Sequence, residues 1–296
     1  MKVLVTGAAG QLGSYVAEAL AADNEVVALD IVRSDNPVGN SEFVQGNVGD
    51  YRLAMRLCKS TDAIVHAAAQ VSVERSVADP VFDAKENILG TVNMLEAATK
   101  CMVPQFVYIS SAAIFGEPER VPVNEEHPCK PKSPYGVSKL AAELYAFSFQ
   151  ETYGLNVTSI RPFNIYSPRQ DPHSPYSGVI TRFSELAGDG KNITVHGDGE
   201  QTRDFVSARD VVRLILKCLG NEKAKGQRFN VGTGVPTSIN ELAEIIVELS
   251  GKDVDIERGE PRKGDIRHSH ADISKAAEVL GYGPEVRLKD GLAELF

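Results

Sequence analysis

The chain has 296 residues, 43% of them hydrophobic and 24% charged, enough apolar content to bury a sizeable core in one large domain or two joined ones. Its formal net charge of −9 excludes a basic footprint for nucleic acid or an anionic membrane surface, so any anionic ligand must be met by local positive groups. Cys58, Cys101, Cys129 and Cys218 lie far apart, with no CxxC and no matching His spacing, which fits reduced thiols and argues against a disulfide framework or a metal site.

Met1–Thr6 runs directly into a Gly-rich turn, too short for a signal peptide, and no apolar run approaches membrane-spanning length, so the expected location is the cytoplasm. Short apolar strands are predicted at Val3–Thr6, Glu25–Leu29, Phe43–Gln45, Ala63–Val65, Gln105–Ile109 and Val157–Ile160, with amphipathic stretches between most of them. That alternation predicts an α/β fold, a Rossmann-type doubly wound parallel sheet over residues 1–161. Beyond Arg161 comes a Pro-rich stretch, Pro162 to Pro175. A helix near 177–188, a strand at 193–196, a helix at 207–219, a strand at 227–231 and a helix at 238–250 follow. Residues 162–296 therefore read as a smaller C-terminal α/β region capping the sheet, with some segments returning to it. No linker separates the two parts, so a cleft is expected between them.

Two motifs carry chemistry. Gly7-Ala8-Ala9-Gly10-Gln11-Leu12-Gly13 follows the first strand and opens a helix, where glycines let backbone N–H groups approach a pyrophosphate and the helix start supplies partial positive charge. Asp30, followed by Ile31, closes the second strand and can accept from adenosine ribose hydroxyls, which favours NAD over NADP; Arg33 is either a partner for a 2′-phosphate or a solvated loop charge. The second motif is Ser133-Pro134-Tyr135-Gly136-Val137-Ser138-Lys139. Ser133 is a good N-cap and Pro134 suits the first helical position, so Tyr135 and Lys139 share one face. A neighbouring ammonium and the helix start both favour phenolate, drawing Tyr135 toward use as a base.

Together these residues resemble the extended branch of the short-chain dehydrogenase/reductase family, with its Gly-x-x-Gly-x-x-Gly turn, Tyr-x-x-x-Lys pair and upstream Ser or Thr. The resemblance implies that Tyr135 is the general base and acid and that Lys139 binds the nicotinamide ribose. Ser110-Ser111-Ala112-Ala113-Ile114-Phe115-Gly116 looks like the family's serine loop; counting back from Gly116 selects Ser111 over its rival Ser110 as the third catalytic residue. Ala67, Ala68 and Ala69 after the fourth strand, and Asn87 in a helix beside the site, match the cofactor-contacting segments of nucleotide-sugar members. So does Phe163. Asn47, with Val48, stands where relatives commonly carry an aspartate against the adenine; an amide can still donate and accept there.

The same resemblance extends to three segments for a nucleoside diphosphate sugar. Asn164 lies in Arg161–Tyr166, Arg203 in Gly197–Phe205, and Arg262 and Asp265 in Pro261–Asp265. The two arginines offer forked donors to a diphosphate, Asp265 can meet a ribose hydroxyl, and Val179, Thr194 and His196 either line the base pocket or are ordinary helix and strand positions. Related dehydratases carry an acidic pair after the catalytic Ser/Thr, and decarboxylating members a glutamate. Here stand Ala112 and Ala113, which cannot move protons. What remains is 4-epimerisation of a UDP-hexose, N-acetylated forms included if the small Ser269 leaves room; the resemblance implies a homodimer built through helices around 79–99 and 133–153. The competing readings are another extended-branch activity, either a nucleotide-sugar dehydratase or reductase or a threonine dehydrogenase, and a non-catalytic NAD-sensing protein.

Overall fold

The computed structural model describes every residue except 34, 37, 171–177 and 263. The end of the Pro-rich stretch and Lys263 of the Pro261–Asp265 segment therefore lie outside the described residues.

Six strands follow the expected order: β1 (Lys2–Thr6), β2 (Glu25–Asp30), β3 (Glu42–Gln45), β4 (Ala63–His66), β5 (Gln105–Ile109) and β6 (Val157–Pro162). The C-terminal half contributes β7 (Asn164–Tyr166), β8 (Ile193–His196), β9 (Thr202–Arg203), β10 (Phe205–Ser207), β11 (Arg228–Val231), β12 (Thr237–Ser238), β13 (Ile256–Gly259) and β14 (His268–Ser269). The main sheet has seven strands in the order β11-β6-β5-β4-β1-β2-β3, all parallel, the doubly wound arrangement read from the alternation.

The helices are α1 (Gln11–Leu20), α2 (Tyr51–Cys58), α3 (Val73–Ala78), α4 (Pro80–Ala84), α5 (Gly90–Lys100), α6 (Pro134–Tyr153), α7 (Val179–Gly188), α8 (Ala208–Cys218) and α9 (Ile239–Ser250), with short α10 (Ser274–Leu280) and α11 (Leu288–Ala293). Side chains alternate across each strand, so the apolar runs feed two cores. Val3 and Val5 turn toward Val16 and Leu20 of α1 and Val211 and Leu214 of α8. Leu4 turns the other way, toward Ala54 of α2, Leu95 of α5 and Ala142 of α6. Leu4 is wholly buried, and its truncation to Ala is a loss of about 2–5 kcal/mol.

The first core does not stop at Arg161, because Phe229 of β11 and Tyr282 pack into it beside Val107 and Ile160. A third core, with Phe183, Ile193, Phe205 and Leu242, belongs to the C-terminal half. What periodicity did not reveal are the short pairings there: β7 with β10, β13 with β8, and β9 between β12 and β14. Two- and three-residue strands are too short to show alternation. Asp204 holds the β9 region, accepting from Thr233 N (2.7 Å) and Gly234 N (2.9 Å) and, across the chain, from Ala271 N (3.1 Å).

Candidate active site

The carboxyl ends of β1, β4, β5 and β6 define one edge of the sheet, where open α/β sheets bind their ligands. Gly7 leaves β1 with φ +69°, and a Cβ there would sit 2.7 Å from Ala68 N, so the turn after β4 can press against it only through glycine. Gly13 in α1 is equally constrained, a Cβ falling 2.0 Å from Gly7 O. Ala67 and Ala68 are tied to β1, Ala67 N donating to Thr6 O (3.2 Å) and Ala68 N to Thr6 Oγ1 (3.2 Å). Ala69 follows them, half-buried. This close-set backbone beside the N-terminus of α1, begun at Gly10, fits a dinucleotide pyrophosphate.

Leu12 itself is core, which leaves its backbone for the turn, while Gln11 Nε2 reaches Gln170 Oε1 at 3.4 Å. Asp30 ends β2 half-buried and accepts from Ala9 N at 2.9 Å. Ile31 and Arg33 are exposed beyond it, and the Arg33 guanidinium lies over the Phe43 ring at 5.3 Å. Asn47 is spent locally, accepting from Gly49 N (2.6 Å) and donating to Glu86 (3.1 Å), and Val48 packs where a Cβ on Gly90 would meet it at 2.9 Å.

Ser133 caps α6, its Oγ accepting from Gly136 N at 3.1 Å, with Pro134 in the first turn. A Cβ on Gly136 would stand 2.6 Å from Ala113 O, so the glycine lets the start of α6 close on the turn Ala112–Phe115. That closure brings Tyr135 to Ser111, whose hydroxyl hydrogen-bonds it. Ser110 is buried and acts on Glu143, whereas Ser111 acts on Tyr135, so the two serines serve different partners.

Burial pushes Tyr135 above its usual range, against the Ser111 hydrogen bond that lowers it, and Asp83 raises it further. Lys139 is 3% exposed, and burial pushes it down to about 7 against Glu143 and Asp83. Its ammonium donates to Ile109 O (2.5 Å) and lies 4.8 Å from the Tyr108 ring centroid. The expectation that a neighbouring cation and the helix start draw Tyr135 toward phenolate is therefore corrected: desolvation outweighs both here, and Lys139 points to the β5 carbonyl.

Asn87 is also buried, in a π-helical turn, Lys85–Leu89. Its Oδ1 accepts from Gln70 N (2.7 Å), and its amide donates to Gln70 O (3.0 Å), Asp83 Oδ1 (3.1 Å) and Ser138 Oγ (3.0 Å). His66 bridges Thr6 Oγ1 (2.8 Å) and Thr91 Oγ1 (3.1 Å) and is held neutral, burial pushing it down to about 3.

Toward the C-terminal half, Phe163 is buried beside Phe115, and Asn164 is exposed with its N–H on Asp204 O (2.9 Å). Arg203 donates to Asp265 Oδ1 at 2.5 Å. His196, Arg262 and Asp265 line an open pocket of about 830 Å³ with Asp198, Gln201, Arg258 and Arg267. Thr194 and His196 alternate with buried Ile193 and Val195 on β8, and a Cβ on Gly259 would meet both at 2.9 Å. Val179 packs partly into the third core at the start of α7.

Sequence reasoning missed Asp83, Gln70, Glu143 and Arg258. Of these, Glu143 had a signal in its position one turn beyond Lys139. It is 1% exposed and takes Arg161 on both oxygens (2.6 and 3.1 Å) and Ser159 (2.9 Å); burial works to raise it, but Arg161 holds it below the usual carboxylate range.

A glycine turn with an acid at the end of β2, and a Ser, Tyr and Lys gathered at the same sheet edge, define a nucleotide-dependent α/β enzyme. Residues 3–232 match the model of the NAD dependent epimerase/dehydratase family, and the chain belongs to that family. It is 42% identical to a UDP-glucose 4-epimerase of Mycolicibacterium smegmatis, over 99% of this chain and 97% of that protein. The crystal structure of a UDP-glucose 4-epimerase from Thermotoga maritima with UDP-glucose superposes with a TM-score of 0.95 at 37% identity, covering 100% of this chain and 97% of the other. A UDP-N-acetylglucosamine 4-epimerase from Methanobrevibacter ruminantium, in complex with UDP-N-acetylmuramic acid, gives 0.94 at 32% identity, covering 99% and 96%.

Proposed function

We infer that the chain is an NAD-dependent UDP-hexose 4-epimerase, and that Tyr135 carries its proton chemistry. The reaction is the reversible 4-epimerisation of a UDP-hexose, UDP-glucose to UDP-galactose, through a 4-keto sugar. Tyr135 Oη takes the proton of the sugar 4-hydroxyl and later returns it, Ser111 hydrogen-bonds the same hydroxyl, and Lys139 fixes the cofactor ribose. NAD, when bound, supplies a transient hydride acceptor for C4. The backbone of Gly7–Gly13, Asp30 and the Ala67–Ala69 turn hold it, with Asn47, Val48, Asn87 and Phe163 around them. Arg203 and Arg262 grip the diphosphate with Asn164, and Asp265 the ribose, beside Val179, Thr194 and His196. A nucleotide held this firmly leaves the hexose free to turn and present its other face. Residues 1–161 thus serve mainly the cofactor and 162–296 mainly the nucleotide sugar.

The observation that carries the reading is the Ser111–Tyr135 contact on a turn whose next residues are Ala112 and Ala113. A 4,6-dehydratase needs an acid and a base at the adjoining sugar carbons, and this turn offers neither. The test is incubation with UDP-glucose, with and without added NAD, followed by separation of the 4-epimers. Epimer formation that disappears in Tyr135→Phe supports the assignment; no epimer even with NAD supplied refutes it.

Three finer points rest on separate observations. Ser269 pairs with Arg203 across β14 and β9, and so small a side chain there supports acceptance of UDP-N-acetylglucosamine; turnover of UDP-glucose alone would sink that point. Val81, Leu89, Val137, Leu144 and Tyr145 stand exposed on α4, the π-turn and α6, which supports a homodimer through these helices; Leu144→Lys should yield monomer in sedimentation. Among the described residues no helix is long and apolar enough to cross a membrane, and the four cysteines are free thiols, which supports a reducing compartment, the cytoplasm.

A further inference from the structure

Behind Tyr135 lies a carboxylate that the assigned chemistry leaves unexplained. Asp83, in α4, is 1% exposed. Its Oδ1 accepts from Gln70 Nε2 (2.8 Å) and Asn87 Nδ2 (3.1 Å), both neutral donors, while its Oδ2 is buried with no hydrogen-bond partner among the described residues. A buried carboxylate normally has a cation or several N–H donors, and leaving one oxygen bare costs free energy. Glu143, equally buried on α6, shows the usual solution in Arg161.

We propose that Asp83 is a positioning residue of the Tyr135 site, whose Oδ1 orders Gln70 and Asn87 against Ser138 of α6 and whose carboxylate stands behind Tyr135 and Lys139. The proposal rests on the catalytic assignment of Tyr135 and Lys139 and deepens it. The charged and titratable groups around the pair are few. From α6 come Tyr135, Lys139 and Glu143, from β5 Tyr108 and from β4 His66. Lys132 lines the same pocket, of about 500 Å³, as Asp83 but donates to Glu117 at 3.3 Å. Glu143 is paired with Arg161, is reached by Arg228 (3.2 Å), and still raises Lys139 ahead of Asp83. Asp83 is thus left as the negative charge near both Tyr135 and Lys139 that no cation of a described residue pairs within 4.0 Å.

A negative charge raises the proton affinity of every neighbour, so removing it lowers both groups. If the two limbs of the pH–rate profile report Lys139 and Tyr135, Asp83→Asn moves both to lower pH, by about half a unit or more. Asparagine keeps the Oδ1 acceptor for Gln70 and Asn87, so a structural role alone leaves the limbs where they are. Gln70→Lys neutralises the same carboxylate from its other side and is expected to shift the profile in the same direction. Unmoved limbs in whichever of these variants folds, with Tyr135→Phe inactive, overturn the proposal alone. If Tyr135→Phe still forms the 4-epimer, the catalytic assignment itself fails.

Discussion

Lys139 is expected to weaken the fold it serves. Its side chain is 3% exposed, and among the described residues no carboxylate lies within 4.0 Å of its nitrogen; what it has is the Ile109 carbonyl and the Tyr108 ring. Burial lowers it from 10.5 to about 7, whereas in the unfolded chain it titrates near the ordinary value. A group with a lowered folded value is held back most where the unfolded chain would be charged. The penalty is therefore full below about 7, falls as pH rises between about 7 and 10.5, and vanishes above that. At about 1.4 kcal/mol per unit the full penalty is on the order of 5 kcal/mol. Lys139→Met, which keeps the stem and removes the charge, forfeits the bond to Ile109 O, worth about 1–2 kcal/mol. The net gain near pH 6 is roughly 3–4 kcal/mol, or a rise in Tm of about 5–6 °C, shrinking toward zero near pH 10. Thermal unfolding across that range, with epimer formation measured alongside, tests this. Turnover should be lost as stability is gained, the exchange seen when active sites hold strained groups. A variant less stable than the parent at every pH, or a gain that does not shrink on the alkaline side, refutes the reasoning.

Ser111→Ala removes the hydrogen bond that holds Tyr135 down, so the limb of the pH–rate profile that reports Tyr135 should move to higher pH, opposite to Asp83→Asn, with turnover reduced by about 10²–10³. Glu143→Ala strips Arg161 of its bidentate partner in the interior and should cost about 3–5 kcal/mol in denaturant unfolding; a change below about 1 kcal/mol would show that the pair is already open to solvent. Gly13→Ala drives a Cβ to 2.0 Å from Gly7 O, so NAD affinity, read by calorimetry, should fall at least about tenfold.

The parallel sheet was legible because its strands are buried on both faces and write their burial as short apolar runs between amphipathic helices, as Val3, Leu4 and Val5 do by serving two cores at once. The helix start at Ser133-Pro134 was legible because capping is local chemistry. The pairings of β9, β12 and β14 were not, since two residues carry no period and their positions depend on long-range bonds such as that from Ala271 N to Asp204. Asp83 was hidden for the same reason. In Asp79-Pro80-Val81-Phe82-Asp83 it reads as one more acid on a short surface helix, and its burial arises from the Gln70 loop and α6 closing over it.

The pKa directions expose a different limit. Spacing of four residues puts Tyr135 and Lys139 on one face, but it says nothing of the dielectric around that face. An ammonium beside a phenol lowers the phenol only if the ammonium survives burial. The fold places Lys139 where burial favours the neutral amine and then buries two carboxylates near it, Glu143 paired with Arg161 and Asp83 with one oxygen unpartnered among the described residues. Glu143 acts on Lys139 ahead of Asp83, while Asp83 is the carboxylate that raises Tyr135 as well. On this argument the working pH of the Tyr135 site is set by the helix packed behind it as well as by the helix that carries it.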